Sequence, residues 1–150
     1  RFLGQPDAPV TFYHGHSFTG NQLAAAAALA SLDIFEEERV LERLQPKIEL
    51  LRRTLQLEIA TLEHVGEVRQ MGFMTGIELV ADRQMRESWP PEVRLGHRVI
   101  LEARKRGVII RPLGDVIVLM PHLSFSEDEL LQLVQVTAES IEAATGTAGR

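Results

Sequence analysis

At His64 the apolar spacing of this chain changes from steps of three and four to steps of two, and that change admits only a mixed α and β fold. Upstream, Leu41, Leu44, Ile48, Leu51, Leu55, Ile59 and Leu62 fall on one helix face, with Arg and Glu between them. Pro46 lies inside this long amphipathic helix, where its missing N–H predicts a kink or a restart near Gln45. Downstream, Val65 to Gln70 and Phe73 to Val80 read as adjacent strands joined at Met71 and Gly72. The second strand puts Met74, Gly76, Glu78 and Val80 on one face and Thr75, Ile77 and Leu79 on the other.

The remaining elements follow from caps and punctuation. Residues 1–20 are rich in Gly, Pro, Thr and His and predict loop with at most one short strand. Asn21 then caps an alanine-rich helix reaching about Phe35, whose small side chains predict burial against a neighbour. In an isolated piece that face would be uncovered and would favour self-association. Residues 81–91 predict a surface loop, followed by a helix from about Glu92 to Arg106 that Gly107 stops. Val108 to Arg111 and Val116 to Leu119 predict an antiparallel pair around a Pro112-Leu113-Gly114-Asp115 turn. Ser126 and Glu129 form a capping box for a last helix with Leu130, Leu133, Val134 and Ile141 buried, and the chain is expected to fray from Thr145. The fold class is α+β, a mostly antiparallel sheet with helices on one face.

Composition narrows the functional classes. A net charge of -5 on 150 residues lacks the basic excess that a nucleic-acid binder needs to displace counterions. No apolar run approaches the roughly 20 residues of a membrane span. Without cysteine there is no disulfide framework and no thiolate site, which fits a cytoplasmic protein. The chain begins at Arg1 without a leader-like segment and reads as a piece of something longer.

Two places could carry chemistry. His14-Gly15-His16-Ser17-Phe18-Thr19-Gly20-Asn21 sets hydroxyls, glycines and imidazoles against a helix N-terminus, where an anion is favoured by free N–H groups and the helix dipole. The same stretch also reads as an ordinary capped loop in which Ser17 and Thr19 satisfy local backbone groups. A zinc site on His14 and His16 lacks a third ligand of suitable spacing, so no metal is expected. Arg111, at the end of a β-run and next to Pro112, is placed either to grip a carboxylate with both arms of its guanidinium or to reach solvent or a neighbouring Glu. Glu78 has no visible partner for general-base work. His64, His97 and His122 read as surface or packed histidines, and Met71, Met74 and Met85 as core or loop fillers.

Three segments, in register and in order, resemble class III pyridoxal-phosphate aminotransferases. They are Phe12 to Asn21 with the alanine helix, Gly72-Phe73-Met74-Thr75-Gly76-Ile77-Glu78-Leu79-Val80, and Arg111-Pro112-Leu113-Gly114-Asp115-Val116-Ile117-Val118-Leu119-Met120-Pro121. Gly96-His97-Arg98-Val99 and Ala103 to Arg111 look most like the biotin-synthesis branch, which moves an amino group from S-adenosylmethionine to 7-keto-8-aminopelargonate. Other branches, of ω-amino acid or ornithine type, share the architecture, and a non-catalytic anion-binding module is the alternative outside the class.

The resemblance implies specific roles. Ser17, usually Thr in the family, and His16 through its backbone would bind the cofactor phosphate in the partner subunit of a homodimer. Gly15 would border the small-molecule substrate, and Arg111 would bind its carboxylate. The sequence departs from the family pattern at Gln22, usually Pro, and at His122, where Pro-Pro is common. By the same resemblance, residues 1–35 would end the large cofactor domain of a fold-type I transferase, 36–145 would form its C-terminal small domain, and 146–150 a frayed tail. The chemistry needs a lysine that bonds the cofactor, yet the only lysines are Lys47, on a charged helix face, and Lys105, in a basic helix end. The segment alone is expected to be inactive.

Overall fold

A computed structural model describes residues 14–148 and divides the chain into two compact units, residues 1–40 and 41–150. The loop and short strand expected over residues 1–13 lie outside the described residues. In the first unit, helix α1 spans Gln22–Glu37, and the Asn21 side chain accepts a hydrogen bond from the Ala24 N–H at 2.9 Å. Its predicted burial is corrected: every α1 residue is exposed except the half-buried Phe35, and Leu23 is 83% exposed. Alanine gives helix propensity and permits close approach, but burial needs an apposed surface that propensity does not encode.

The second unit begins its packing with α2, Val40–Thr54, which runs through Pro46 without a restart. A π-helical turn, Leu55–Ile59, extends it and closes with the Ala60 N–H on the Leu55 carbonyl at 2.9 Å. Leu44, Leu51, Leu55 and Ile59 from the predicted leucine face are buried. Strands β1, Val65–Met71, and β2, Met74–Leu79, form the expected hairpin.

Two boundaries differ from the sequence expectation. A 3-10 turn, Pro91–Val93, and a left-handed Arg94 precede α3, which starts only at Leu95 and ends at Lys105. The α3 exit is as predicted. Gly107 at φ +82 lets its own N–H reach the Arg104 carbonyl while the Val108 N–H reaches Ala103. The third strand is shifted: β3 is Arg111–Leu113, paired with β4, Val116–Leu119, so residues 108–110 are an extended link. The turn is two residues tighter than expected because Gly114, at φ +61, takes a conformation that admits a two-residue loop. Pro112 is tolerated because β3 is the sheet edge, where a missing N–H breaks no ladder.

The sheet order is β1-β2-β4-β3, antiparallel throughout. Thr75, Ile77, Leu79, Ile117 and Leu119 face the buried side, where α3, α4 and the π-helical turn complete one core with them. α4, Glu127–Ala148, carries the predicted buried residues Leu130, Leu133, Val134 and Ile141 and remains helical beyond Thr145. Its capping box is present: the Ser126 N–H donates to Glu129 Oε2 at 2.7 Å and the Glu129 N–H to Ser126 Oγ at 3.2 Å. The Ser126 N–H, then the Ser126 hydroxyl, hold the Glu129 carboxyl below its ordinary range. The 81–90 loop is mostly exposed, but Trp89 is half buried and packs against His64 in a tilted arrangement, ring centroids 5.1 Å apart and planes at 59°.

Candidate functional site

The first candidate lies in the turn leading into α1. The His16 N–H donates to Thr19 Oγ1 at 2.8 Å, and the Thr19 N–H returns to the His16 carbonyl at 3.0 Å. The Phe18 N–H donates to His16 Nδ1 at 3.1 Å, and the Asn21 N–H to the Phe18 carbonyl at 3.1 Å. These bonds separate the two hydroxyls: Thr19 is consumed by the turn, whereas Ser17 Oγ is exposed and has no hydrogen-bond partner among the described residues. The first turn of α1 contains no acidic residue, so the positive end of the helix dipole is left uncompensated. A phosphate fits such a place: a hydroxyl donor without a partner stands beside an electropositive helix start. Among the described residues, an added Cβ at Gly15 would meet only Thr19 Oγ1, at 3.8 Å.

The second candidate is built on the β3–β4 hairpin of the other unit. Arg111 pairs with Val118 across the ladder, and Val118 with Gly76, so Arg111 shares the face of the sheet opposite the core. Its guanidinium is exposed and has no ion-pair or hydrogen-bond partner among the described residues. Arg111 is among the residues lining a cavity of about 670 Å³ bounded by the 107–110 link, the end of β4, the 120–125 segment and the start of α4.

That hairpin is anchored from the helical side. Asp115 Oδ1 accepts the Gly96 N–H at 2.9 Å, capping the N-terminus of α3 from the hairpin turn. The Lys47 ammonium donates to the Phe125 carbonyl at 2.6 Å and ties α2 to the segment beyond β4. Neither contact has a sequence signature, since each joins residues far apart in the chain.

Other candidates resolve into structural roles. Glu78 is ion-paired with Arg69, which also holds Glu67 across the open sheet face. Lys105 and Arg106 both bind Glu102. Lys47 is half buried and bonded to the Phe125 carbonyl, and Lys105 is exposed. His64 Nδ1 lies 3.2 Å from the carbonyls of Val80 and Ala81, while His97 is exposed. Met71, Met74 and Met85 are all exposed rather than in the core. Among the described residues no group of three or more His, Asp or Glu gathers as a metal cluster would, and no helix is long and apolar enough to cross a membrane. His122, which reads in the sequence as a surface or packed histidine, lines the Arg111 cavity.

The sequence profile of the family described as Aminotransferase class-III matches residues 4–141. An adenosylmethionine-8-amino-7-oxononanoate aminotransferase of Nitratidesulfovibrio vulgaris is 62% identical over 96% of this chain, which covers 26% of that protein. The crystal structure of the enzyme of the same name from Methanocaldococcus jannaschii aligns with a TM-score of 0.83 at 46% identity, over 95% of this chain and 32% of that one. A thermostable omega transaminase from Pseudomonas jessenii aligns with a TM-score of 0.83 at 32% identity, over 93% of this chain and 31% of that one. The chain thus spans between 26% and 31% of the length of the first curated relatives it matches.

Proposed function

Because this chain belongs to the class III aminotransferase family, we propose that it is the C-terminal part of a homodimeric, cytoplasmic pyridoxal-phosphate enzyme that moves an amino group from S-adenosylmethionine to 7-keto-8-aminopelargonate in biotin synthesis. The observation that supports the branch is that five enzymes named for 8-amino-7-oxononanoate share 46–62% identity with this chain, against 32% and 35% for two omega transaminases; a sixth enzyme of that name stands at 32%. Residues 1–35 end the large domain, 36–145 form the small domain and 146–150 its tail.

The cofactor, when bound, supplies the electron sink that carries the amino group between donor and acceptor. This chain supplies two half-sites. The Ser17 hydroxyl would donate to a phosphate oxygen in the partner subunit's site, held at the helix start by the Ser17 to Asn21 turn; the His16 N–H expected to join it is instead given to Thr19 Oγ1. Gly15 would border the substrate. Arg111 would grip the acceptor carboxylate bidentately and so fix the orientation of the acceptor. The bonding lysine belongs to another part of the enzyme, because Lys47 is held by a carbonyl and Lys105 by a carboxylate.

Two measurements on a full-length enzyme carrying this segment test the reading. With S-adenosylmethionine as donor it is expected to aminate 7-keto-8-aminopelargonate, and an enzyme that ignores S-adenosylmethionine but accepts an ω-amine removes the biotin assignment. In a Ser17→Ala variant, loss of one hydrogen bond to a charged phosphate is expected to weaken cofactor binding about 10- to 100-fold, with Ser17→Thr near wild type. Titration of the cofactor by fluorescence reads this directly. Unchanged affinity in Ser17→Ala would remove the phosphate role.

A further inference from the structure

The cavity that holds Arg111 is also lined by His122, and we propose that His122 is a second group reading the acceptor carboxylate, a specificity-determining residue of the same site. The inference rests on the acceptor assigned above. The ring is fixed from one side only: the Ser124 N–H donates to His122 Nδ1 at 3.3 Å, and Ser124 Oγ lies 2.8 Å from the same nitrogen. An Nδ1 that accepts from the main chain leaves the proton of the neutral ring on Nε2. His122 therefore carries an oriented N–H donor with no partner among the described residues.

The cavity wall suits such an acceptor. Ile109, Met120 and Phe125 supply apolar surface for an alkyl chain, while Arg111 and His122 supply the donors that its carboxylate needs. Glu129 lines the same space, but both its backbone and side-chain bonds with Ser126 turn its carboxylate to the start of α4. His122 is itself exposed, so the core does not depend on it. A bidentate fork at Arg111 fixes the plane of the carboxylate, and a second oriented donor penalises ligands that lack an acceptor there.

Steady-state kinetics on a full-length enzyme carrying this segment test the inference, with 7-keto-8-aminopelargonate and its methyl ester as acceptors. His122→Ala is expected to raise KM for the acid about 3- to 10-fold with kcat little changed, the range for loss of one hydrogen bond. KM for the ester should hold, and His122→Gln, which restores an N–H donor, should recover most of the loss. An unchanged KM for the acid overturns the inference, as does an equal rise for acid and ester. Arg111→Ala run alongside separates the two levels: if it too leaves the acid's KM unchanged, the acceptor assignment fails, and if only His122→Ala is silent, only the role of His122 fails.

Discussion

Gly96→Ala is expected to destabilise the second unit by about 3 kcal/mol, the upper end of what overpacking costs, and to lower its melting temperature by about 10 °C or more. A Cβ at this position would stand 2.1 Å from the Gly114 carbonyl oxygen and 3.2 Å from Pro112 Cβ. The first of these atoms is backbone, so no rotamer change relieves the clash. Either α3 lifts off the β3–β4 hairpin or the hairpin turn deforms. Both movements break the bond from the Gly96 N–H to Asp115, leaving the α3 N-terminus without that cap. Urea titration followed by circular dichroism measures the loss. A cost below about 1 kcal/mol would mean that α3 and the hairpin slide past one another freely, contrary to the tight approach seen here.

Arg111→Ala is expected to lower kcat/KM for the keto acid about 100-fold, which corresponds to about 2.7 kcal/mol, while the half-reaction with S-adenosylmethionine stays near wild type. The guanidinium is exposed and makes no ion pair among the described residues, so its removal breaks no structural contact. The loss should therefore appear in acceptor binding rather than in stability. Arg111→Lys keeps the charge but not the fork, and should recover only part of the activity. Stopped-flow measurement of the two half-reactions separates these effects, and equal losses in both would show that Arg111 does not serve the acceptor alone.

These two substitutions also mark how far the sequence could be read. Arg111 was visible as a strand-end fork, and the family resemblance narrowed its role to a carboxylate. Gly96 belongs to a family-like motif, but nothing in its neighbourhood announces a backbone oxygen from Gly114. Ser17 and Thr19 looked alike in the sequence, and only the turn geometry shows that Thr19 is consumed while Ser17 is not. His122 reads in the sequence as a surface or packed histidine, because its relation to Arg111 depends on where β4 leads the chain.

What the sequence alone determined is whatever rests on neighbours within a turn or on a sustained period. The Asn21 cap, the buried helix face of Leu44, Leu51, Leu55 and Ile59, the Gly107 stop and the Ser126–Glu129 box all belong to that set, and all are present, although Leu41 at the start of that face is exposed. Only the tertiary structure decided the placement of β3, the pairing of β2 with β4 and the open face on which Arg111 stands. The reason is physical. Helical turns and caps are satisfied by hydrogen bonds among near residues, whereas a strand's limits are set by the partner that satisfies its N–H and C=O groups. For Arg111–Leu113 that partner is β4, and β4 is itself held by β2 from much earlier in the chain, so three β-branched residues at 108–110 could not claim the strand on propensity alone.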